Sequence, residues 1–290
     1  VVTAPTLPKP GETVLGHGFT TVAGGKGANQ AVAVARAGGR CAFVGAVGQD
    51  GFADALRDNL AVAGVDLRGL RSVPGPSGVA LITVDDAAEN SIVVAPGANG
   101  ELRELDAADL TAIGAADVLL CQLEIPLTSV TQAAARARED ATVVVLNAAP
   151  ARVLPAGLLD MVDILVVNEV EAATVAGREG SPADLVAALL DTVPQVVLTL
   201  GARGVVYGYR GGTWLDVAAP KITAVDTTAA GDAFTGAFVV ALAERRPVVE
   251  ALRWACAAGA ACARRPGASS ALPTRDDIDE LYAATYGGTR

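Results

Sequence analysis

Histidine is almost missing from this sequence: His17, in "LGHGF", is the single copy. A Ser-His-Asp or Cys-His enzyme would have to place its only base there, away from any nucleophile motif, and a zinc site built on several histidines is excluded. Acid–base chemistry, if present, falls to carboxylates. Aromatic residues make up only 4% of a chain that is 51% hydrophobic, so the core must be built from Val, Leu, Ile and Ala. No apolar run approaches the roughly 18–20 residues that cross a bilayer. No charged segment followed by an apolar one opens the chain as a secretory leader would. The expectation is a cytoplasmic protein with no membrane partner. Basic residues are also scarce: 22 Lys and Arg stand against 32 Asp and Glu, a formal net charge of −10. That balance argues against nucleic acid, whose phosphates require a basic face. The cysteines, Cys41, Cys121, Cys256 and Cys262, have no metal-ligand spacing and lie in or beside apolar stretches. They read as reduced thiols filling a core.

Within 290 residues there are short apolar runs in alternation with amphipathic ones. "RCAFVGAVG" precedes "GFADALRDNLAVAG", "DVLLCQL" precedes "LTSVTQAAARARE", and "TVVVLN" and "DILVVN" precede "EVEAATVAG"; "PADLVAALLD" and "QVVLTLG" follow. Apolar runs without alternation, separated by helical patterns, predict an α/β fold with a mainly parallel sheet and helices on both faces. Two stretches differ. "GETVLGHGFTTVAGG" and "SGVALITVDDAAENSIVVAPGAN" are strand-like without intervening helices, and the second turns at "DDAAEN" as a hairpin. They predict a small β lid over 1–22 and 77–96, appended to a core of 23–76 and 97–290. After Ala230 the pattern is helical nearly to the end.

Ligands of such sheets collect beyond the carboxyl ends of the strands. Polar residues stand there at Glu124, Asn147, Asn168, Glu169 and Glu171, and at the turn from Gly201 to Gly204. The most informative stretch is "AVDTTAAGDAFTGAFVVALA", where the small residues Asp226 to Gly231 lead into an apolar helix. Backbone amides at a helix start, with no Cβ at Gly231, form an anion hole. A carboxylate beside that hole, Asp232, repels an anion unless it has a task, and accepting a proton from an attacking hydroxyl is one. A second glycine cluster, "AGGKGANQAVAVARAGG", also opens a helix. It is neither a P-loop, since Lys26 is followed by Gly27 and position 20 is Thr20, nor the G-x-G-x-x-G dinucleotide fingerprint. Close backbone approach to a polyhydroxy ligand, with Lys26 and Asn29 as donors, would require such glycines.

"GGKGANQA" near the start and "DTTAAGDAFTGA" near the end together resemble the two signatures of the ribokinase-like (PfkB) carbohydrate kinases. "KPGETV", "CQLEIP", "LNAAPAR", "VVNEVEA", "LTLGARG" and "RRPGASSALP" extend the resemblance over nearly the whole chain, in order and at compatible spacing. "GGKGANQA" with "QLE" is more similar to the ribose-phosphorylating members than to fructokinases or adenosine kinases. The resemblance implies a parallel α/β core, a β lid that pairs between two subunits, and transfer of phosphate from ATP to O5 of D-ribose.

Residue by residue, the resemblance makes Asp232 the catalytic base and Ala229, Ala230 and Gly231 the anion hole. Gly25, Lys26, Gly27, Ala28, Asn29 and Glu124, with Asp232, become sugar contacts. Asn168 and Glu171 would organise Mg²⁺ through waters around the phosphates. Thr199, Leu200, Gly201, Ala202, Arg203 and Gly204 would form the ATP-binding turn, closed by Gly231 and with Cys256 near the adenine. Asp226, Thr228, Cys262, Arg265 and Gly267 would hold an activating K⁺, largely through carbonyl oxygens. Two departures accompany it. Ala271 stands where the family often offers a serine to the monovalent cation. The family's strand ending in Asn-x-Asp, whose carboxylate grips sugar hydroxyls, is not in the sequence, which leads to the expectation that a piece of the chain is missing. Rival readings are a kinase for deoxyribose, fructose or another small sugar, a non-catalytic sugar- or nucleotide-binding protein, and a nicotinamide-dependent oxidoreductase.

Overall fold

The computed structural model describes residues 1–87, 89–212 and 214–287. β1 (Val2–Ala4) and β2 (Gly18–Phe19) precede helix α1 (Lys26–Arg36), after which β3 (Ala42–Val47), α2 (Ala53–Val62) and β4 (Asp66–Ser72) form a β–α–β unit. The hairpin β5 (Val79–Asp85) and β6 (Asn90–Ala95) is followed by α3 (Ala107–Gly114), β7 (Val118–Cys121), α4 (Leu127–Glu139) and β8 (Val143–Asn147). Next come α5 (Ala156–Leu159), β9 (Ile164–Asn168), α6 (Glu169–Ala176), α7 (Pro182–Leu190) and β10 (Gln195–Thr199). β11 (Val205–Tyr209) and β12 (Leu215–Val217) lead to three long C-terminal helices, α8 (Ala230–Ala243), α9 (Val248–Ala263) and α10 (Arg275–Tyr286). Among the described residues, no helix is long and apolar enough to cross a membrane.

Among the described residues the strands form three sheets. The largest has the order β12-β11-β10-β9-β8-β7; β7 to β10 are parallel, and β11 and β12 add an antiparallel edge that the sequence patterns did not announce. Its strands read as unbroken apolar runs because both faces are covered. Val144, Leu146, Leu165, Val167, Val196 and Leu198 face the layer of α3 to α7. Val145, Ile164, Val166, Val197, Val205 and Tyr207 face α8, α9 and α10.

β3 and β4 stand apart from that sheet as a parallel pair. Among the described residues no strand is hydrogen-bonded to both β3 and β7. The sheet is therefore interrupted, and Val44 of β3 packs against the core cluster that includes Cys121 and Leu123 of the larger sheet's side.

The third sheet has the order β2-β1-β5-β6 and draws its strands from 1–22 and 77–96. Of the "GETVLGHGFTTVAGG" stretch only Gly18–Phe19 is strand. The β5–β6 hairpin is antiparallel, with Leu81 opposite Val93 and Ile82 opposite Ile92; its turn, read from "DDAAEN", includes Ala88, which lies outside the described residues.

Capping residues set where the site-bearing helices begin. Asn168 caps α6 and Ser181 caps α7 in reciprocal capping boxes, while Gly177 ends α6 in the left-handed conformation at φ 65°. α8 and α1 lack side-chain caps: Ala229 (φ 60°) and Gly25 (φ 93°) start them from left-handed backbone.

Candidate active site

Close helix contacts at Gly236 and Gly259 bring the site together. A Cβ on Gly236 would lie 2.5 Å from the Ala33 Cβ and 3.1 Å from the Gln30 carbonyl oxygen, so its absence lets α8 lie directly on α1. Gly259 does the same for α9, where a Cβ would approach the Ala230 carbonyl oxygen to 3.1 Å. The start of α8 is thus held between α1 and α9, with Asp232 turned toward α1.

Asp232 is 9% exposed, and each of its carboxylate oxygens accepts one hydrogen bond. Asn29 Nδ2 donates to Oδ2 at 2.9 Å and Gln30 Nε2 donates to Oδ1 at 2.9 Å. Burial pushes the Asp232 carboxyl above the usual aspartate range; the two amide donors and the Lys26 ammonium pull it back. A carboxyl raised in this way is a better proton acceptor than an exposed aspartate.

The amides in front of Asp232 differ in part from expectation. Ala230 N–H donates to the Thr227 carbonyl at 3.1 Å and so closes the turn instead of facing a ligand. Ala229, Gly231 and Asp232 have no acceptor for their amides among the described residues. A Cβ at Gly231 would meet nothing within 4 Å, so these donors open onto free space. Ala229 is a non-glycine residue at positive φ, a conformation costing about 1 kcal/mol that collects at functional sites. The bend it makes turns the donors of the helix start to one side.

Facing this helix start is the turn into α1. Gly25 at φ 93° brings the Lys26 amide to Glu124 Oε2 at 2.8 Å, fixing the carboxylate that follows β7. Burial raises the Glu124 carboxyl, as does the nearby Asp232 charge, against the Lys26 amide and ammonium. A Cβ on Gly27 would stand 3.0 Å from Gln122 Oε1 and 3.5 Å from the Phe43 ring, so the turn lies close against both side chains. Ala28 packs against the cluster that holds Val32 and Leu60.

Asn168 and Glu171 bind each other: Glu171 N donates to Asn168 Oδ1 at 2.8 Å and Asn168 N to Glu171 Oε2 at 2.9 Å. Glu171 is buried and raised by that burial, and it senses both the Lys26 and Asp232 charges, which places it at the same cleft. Its Oε1 carries no hydrogen bond in the described structure. A single buried carboxylate with one open oxygen fits Mg²⁺, which keeps most of its waters and takes the remaining ligands from phosphates. Among the described residues no group of three or more His, Cys, Asp or Glu could hold a metal by itself.

The turn from Thr199 to Gly204 ends β10 as one 3-10 turn over Gly201–Arg203, with Leu200 N donating to the Gly204 carbonyl at 2.8 Å. Thr199 Oγ1 donates to the Val167 carbonyl at 3.3 Å, and Ala202 lies exposed in the turn. Arg203 reaches Glu169 at 2.6 Å, tying the turn to the start of α6. Gly204 has a structural requirement of its own, since a Cβ would strike the Val217 carbonyl. Cys256 lies inside the layer with Phe234 and Phe238, its thiol pushed up to about 12 by burial. It therefore presents no charge.

On the other side of the α8 start, Asp226 binds two loops. Its Oδ1 accepts from Thr228 N and its Oδ2 from Gly267 N, both at 2.9 Å. Burial opposes its ionisation, but these bonds outweigh burial and hold it below the usual range. Cys262 Sγ donates to the Thr228 carbonyl at 3.7 Å. The Arg265 guanidinium turns away to Asp277 at 2.6 Å, leaving only its backbone to this corner. Ala271 is buried and brings no oxygen on its side chain.

Sequence reading missed Gln30 and Gln122. Gln122 Nε2 donates to Gln30 Oε1 at 2.5 Å, behind the Asp232 contact. The available signal was a glutamine opening the apolar run "AVAVA"; it is fully buried, which requires partners.

Residues 2–275 match the family described as pfkB family carbohydrate kinase. The chain is 40% identical to a ribokinase of Haemophilus influenzae over 288 residues, 97% of this chain and 94% of that one. Identity to a ribokinase of Bacillus subtilis is 38%, covering 98% and 95%. Among solved structures, Arabidopsis thaliana ribokinase complexed with ribose and ATP superposes with a TM-score of 0.91 at 33% identity, over 97% of this chain and 94% of that one. Ribokinase from Thermotoga maritima gives 0.87 at 34%, over 97% and 94%. With Asp232 beside free amides at one helix start and a glycine turn at the other, the chain belongs to the pfkB family of carbohydrate kinases.

Proposed function

We propose that this chain transfers the γ-phosphoryl group of ATP to O5 of D-ribose, giving D-ribose 5-phosphate and ADP. The observation that carries the reading is Asp232, a buried carboxylate with raised proton affinity, set beside the unpaired amides of Ala229, Gly231 and Asp232 itself. The O5 hydroxyl gives its proton to Asp232 as the oxygen bonds to the γ-phosphorus. The bond to the bridging oxygen breaks and ADP leaves. Charge growing on the transferring group then meets the helix-start amides, which are oriented beforehand.

Gly25 to Asn29 and Glu124 hold the sugar. The orphaned Asn29 Oδ1, buried without a partner, is placed to accept from a hydroxyl. Thr199 to Gly204 carry the nucleotide, whose adenine half lies toward the uncharged Cys256. Asn168 and Glu171 would hold Mg²⁺ through water, and the metal would neutralise phosphate charge. The corner of Asp226, Thr228, Cys262, Arg265 and Gly267 offers carbonyl oxygens suited to K⁺, one ligand fewer because of Ala271.

A coupled ADP-release assay over ribose, deoxyribose and fructose tests the reading. Ribose is expected to give the highest kcat/KM, with Mg²⁺ required and K⁺ raising kcat above Na⁺ or Li⁺. A higher value for another sugar would reassign the substrate. ATP binding without ADP release on any sugar would make the protein a binding module, and a flat K⁺ titration would remove the monovalent site.

The sheet over 1–22 and 77–96 is proposed as a lid shared by two copies of the chain. Leu81 and Val93, opposite each other in register, are 64% and 63% exposed, and β6 has a free edge. Such an edge wants a partner strand, and a second copy supplies one by two-fold symmetry. Light scattering should give a dimer at micromolar concentration, and saturating ribose should slow hydrogen exchange in both segments. A monomer would remove the assembly; unchanged exchange would remove the lid.

A further inference from the structure

We propose that Gln30 is a positioning residue for the phosphoryl transfer, holding Asp232 in its reactive orientation through a chain of amide contacts that starts at the Val166 backbone. The proposal rests on the kinase reading above and names a residue that reading does not need.

The argument is one of hydrogen-bond direction. A side-chain amide has one accepting and one donating end, and its neighbours decide which way it faces. Asn147, at the end of β8, donates from Nδ2 to the Val166 carbonyl at 3.1 Å, and a backbone carbonyl can only accept. Asn147 Oδ1 must therefore face away and take a donor, which is Gln30 Nε2 at 2.9 Å. On the opposite side Gln122 Nε2 donates to Gln30 Oε1 at 2.5 Å, which is consistent with the orientation that the Val166 carbonyl sets through Asn147. The second hydrogen of Gln30 Nε2 then points to Asp232 Oδ1 at 2.9 Å. Gln30 has no exposed surface, so water cannot replace any of these contacts.

Two consequences follow for Asp232. Its Oδ1 is held by a donor that cannot rotate away, so the carboxylate plane is set before substrate arrives. The same donor favours the ionised form, offsetting part of the burial that raises the carboxyl. The charged or titratable groups facing Asp232 are Lys26 on α1, Glu124 after β7, Glu171 on α6 and Cys262 on α9. None of them is altered by substituting Gln30 or Gln122.

The test uses Gln30→Leu, which keeps the volume and removes both amide ends, and Gln122→Leu, which frees Gln30 without touching Asp232. For Gln30→Leu, kcat should fall about 10–100-fold, the range of one lost hydrogen bond to a charged group. The KM for ATP should stay within about threefold. The acid limb of the kcat profile should move to higher pH by about one unit, because the protonated carboxyl no longer competes with a donated hydrogen bond. Gln122→Leu should shift the limb in the same direction by less. A residue that merely fills space would lower stability and leave the limb where it is.

Carbon-13 NMR titration of the Asp232 carboxyl, assigned by its loss in Asp232→Asn, reads the same shift without turnover. If wild type releases no ADP, the kinase reading fails, and the NMR titration then decides the Gln30–Asp232 coupling alone. An unmoved limb and an unmoved carboxyl titration in Gln30→Leu would overturn the proposal. Should Gln30→Leu not fold, an unmoved titration in Gln122→Leu overturns it.

Discussion

Asp232→Asn is expected to reduce kcat about 10²–10⁴-fold, the usual cost of losing a general base, while ATP binding stays within a few-fold. Asparagine keeps the shape of the side chain and one acceptor for the donors that Asn29 and Gln30 supply at 2.9 Å, so the pocket should survive. What it loses is the capacity to take a proton. The pH dependence separates this from a structural defect. Asp232 must be ionised to act, and burial raises its carboxyl, so wild-type activity should fall with acid above the ordinary aspartate value of about 3.9. In Asp232→Asn that limb should be absent from whatever rate remains. More than about a third of wild-type kcat in the variant would remove Asp232 from the catalytic role.

The second large effect concerns stability. Trp254→Ala is expected to destabilise the protein by about 3–5 kcal/mol. Trp254 is fully buried on α9 among Phe238, Leu252 and Ile278. Its Nε1 donates to Asp279 Oδ1 on α10 at 2.7 Å. Arg246 lies 4.3 Å and Arg275 5.4 Å from the ring centroid, and both arginines pair with Glu244 at the end of α8. One side chain therefore joins the three C-terminal helices. A chain of this length should lose on the order of 10 °C in Tm, measured by calorimetry. Trp254→Phe keeps most of the packing and loses the indole donor, so it should cost about 1–3 kcal/mol. An alanine variant within 1 kcal/mol of wild type would show that the helices are held elsewhere.

Both predictions depend on packing that the sequence announces only partly. The helical segments after Asn168 and before Ala243 and the apolar strands β7 to β10 were legible, because hydrophobic period acts over a few neighbouring residues. The antiparallel β11 and β12 were not. A strand buried on both faces looks the same in either direction, and direction is set by where the turn at Gly201 to Gly204 sends the chain. The separation of β3 and β4 from the main sheet was hidden for a related reason, since pairing is a relation between distant segments.

At the site, local sequence pointed to Asp232, the small residues before it and the glycine turn around Lys26, and also joined them through the motifs they resemble. It could not tell that the Ala230 amide closes a turn onto Thr227, because a hydrogen bond of that kind depends on the left-handed backbone of Ala229. Nor could it show Gln30, Gln122 and Asn147 meeting behind Asp232, since they come from α1, the end of β7 and the end of β8. The sequence by itself determined which groups stand at the proposed site: a carboxylate at Asp232, the backbone amides of a helix start, and no histidine beside them. Only the tertiary structure decided how strongly that carboxylate holds a proton and which way it faces. Burial and amide direction are properties of side chains up to 203 residues apart, packed together where Gly236 lets α8 lie on α1.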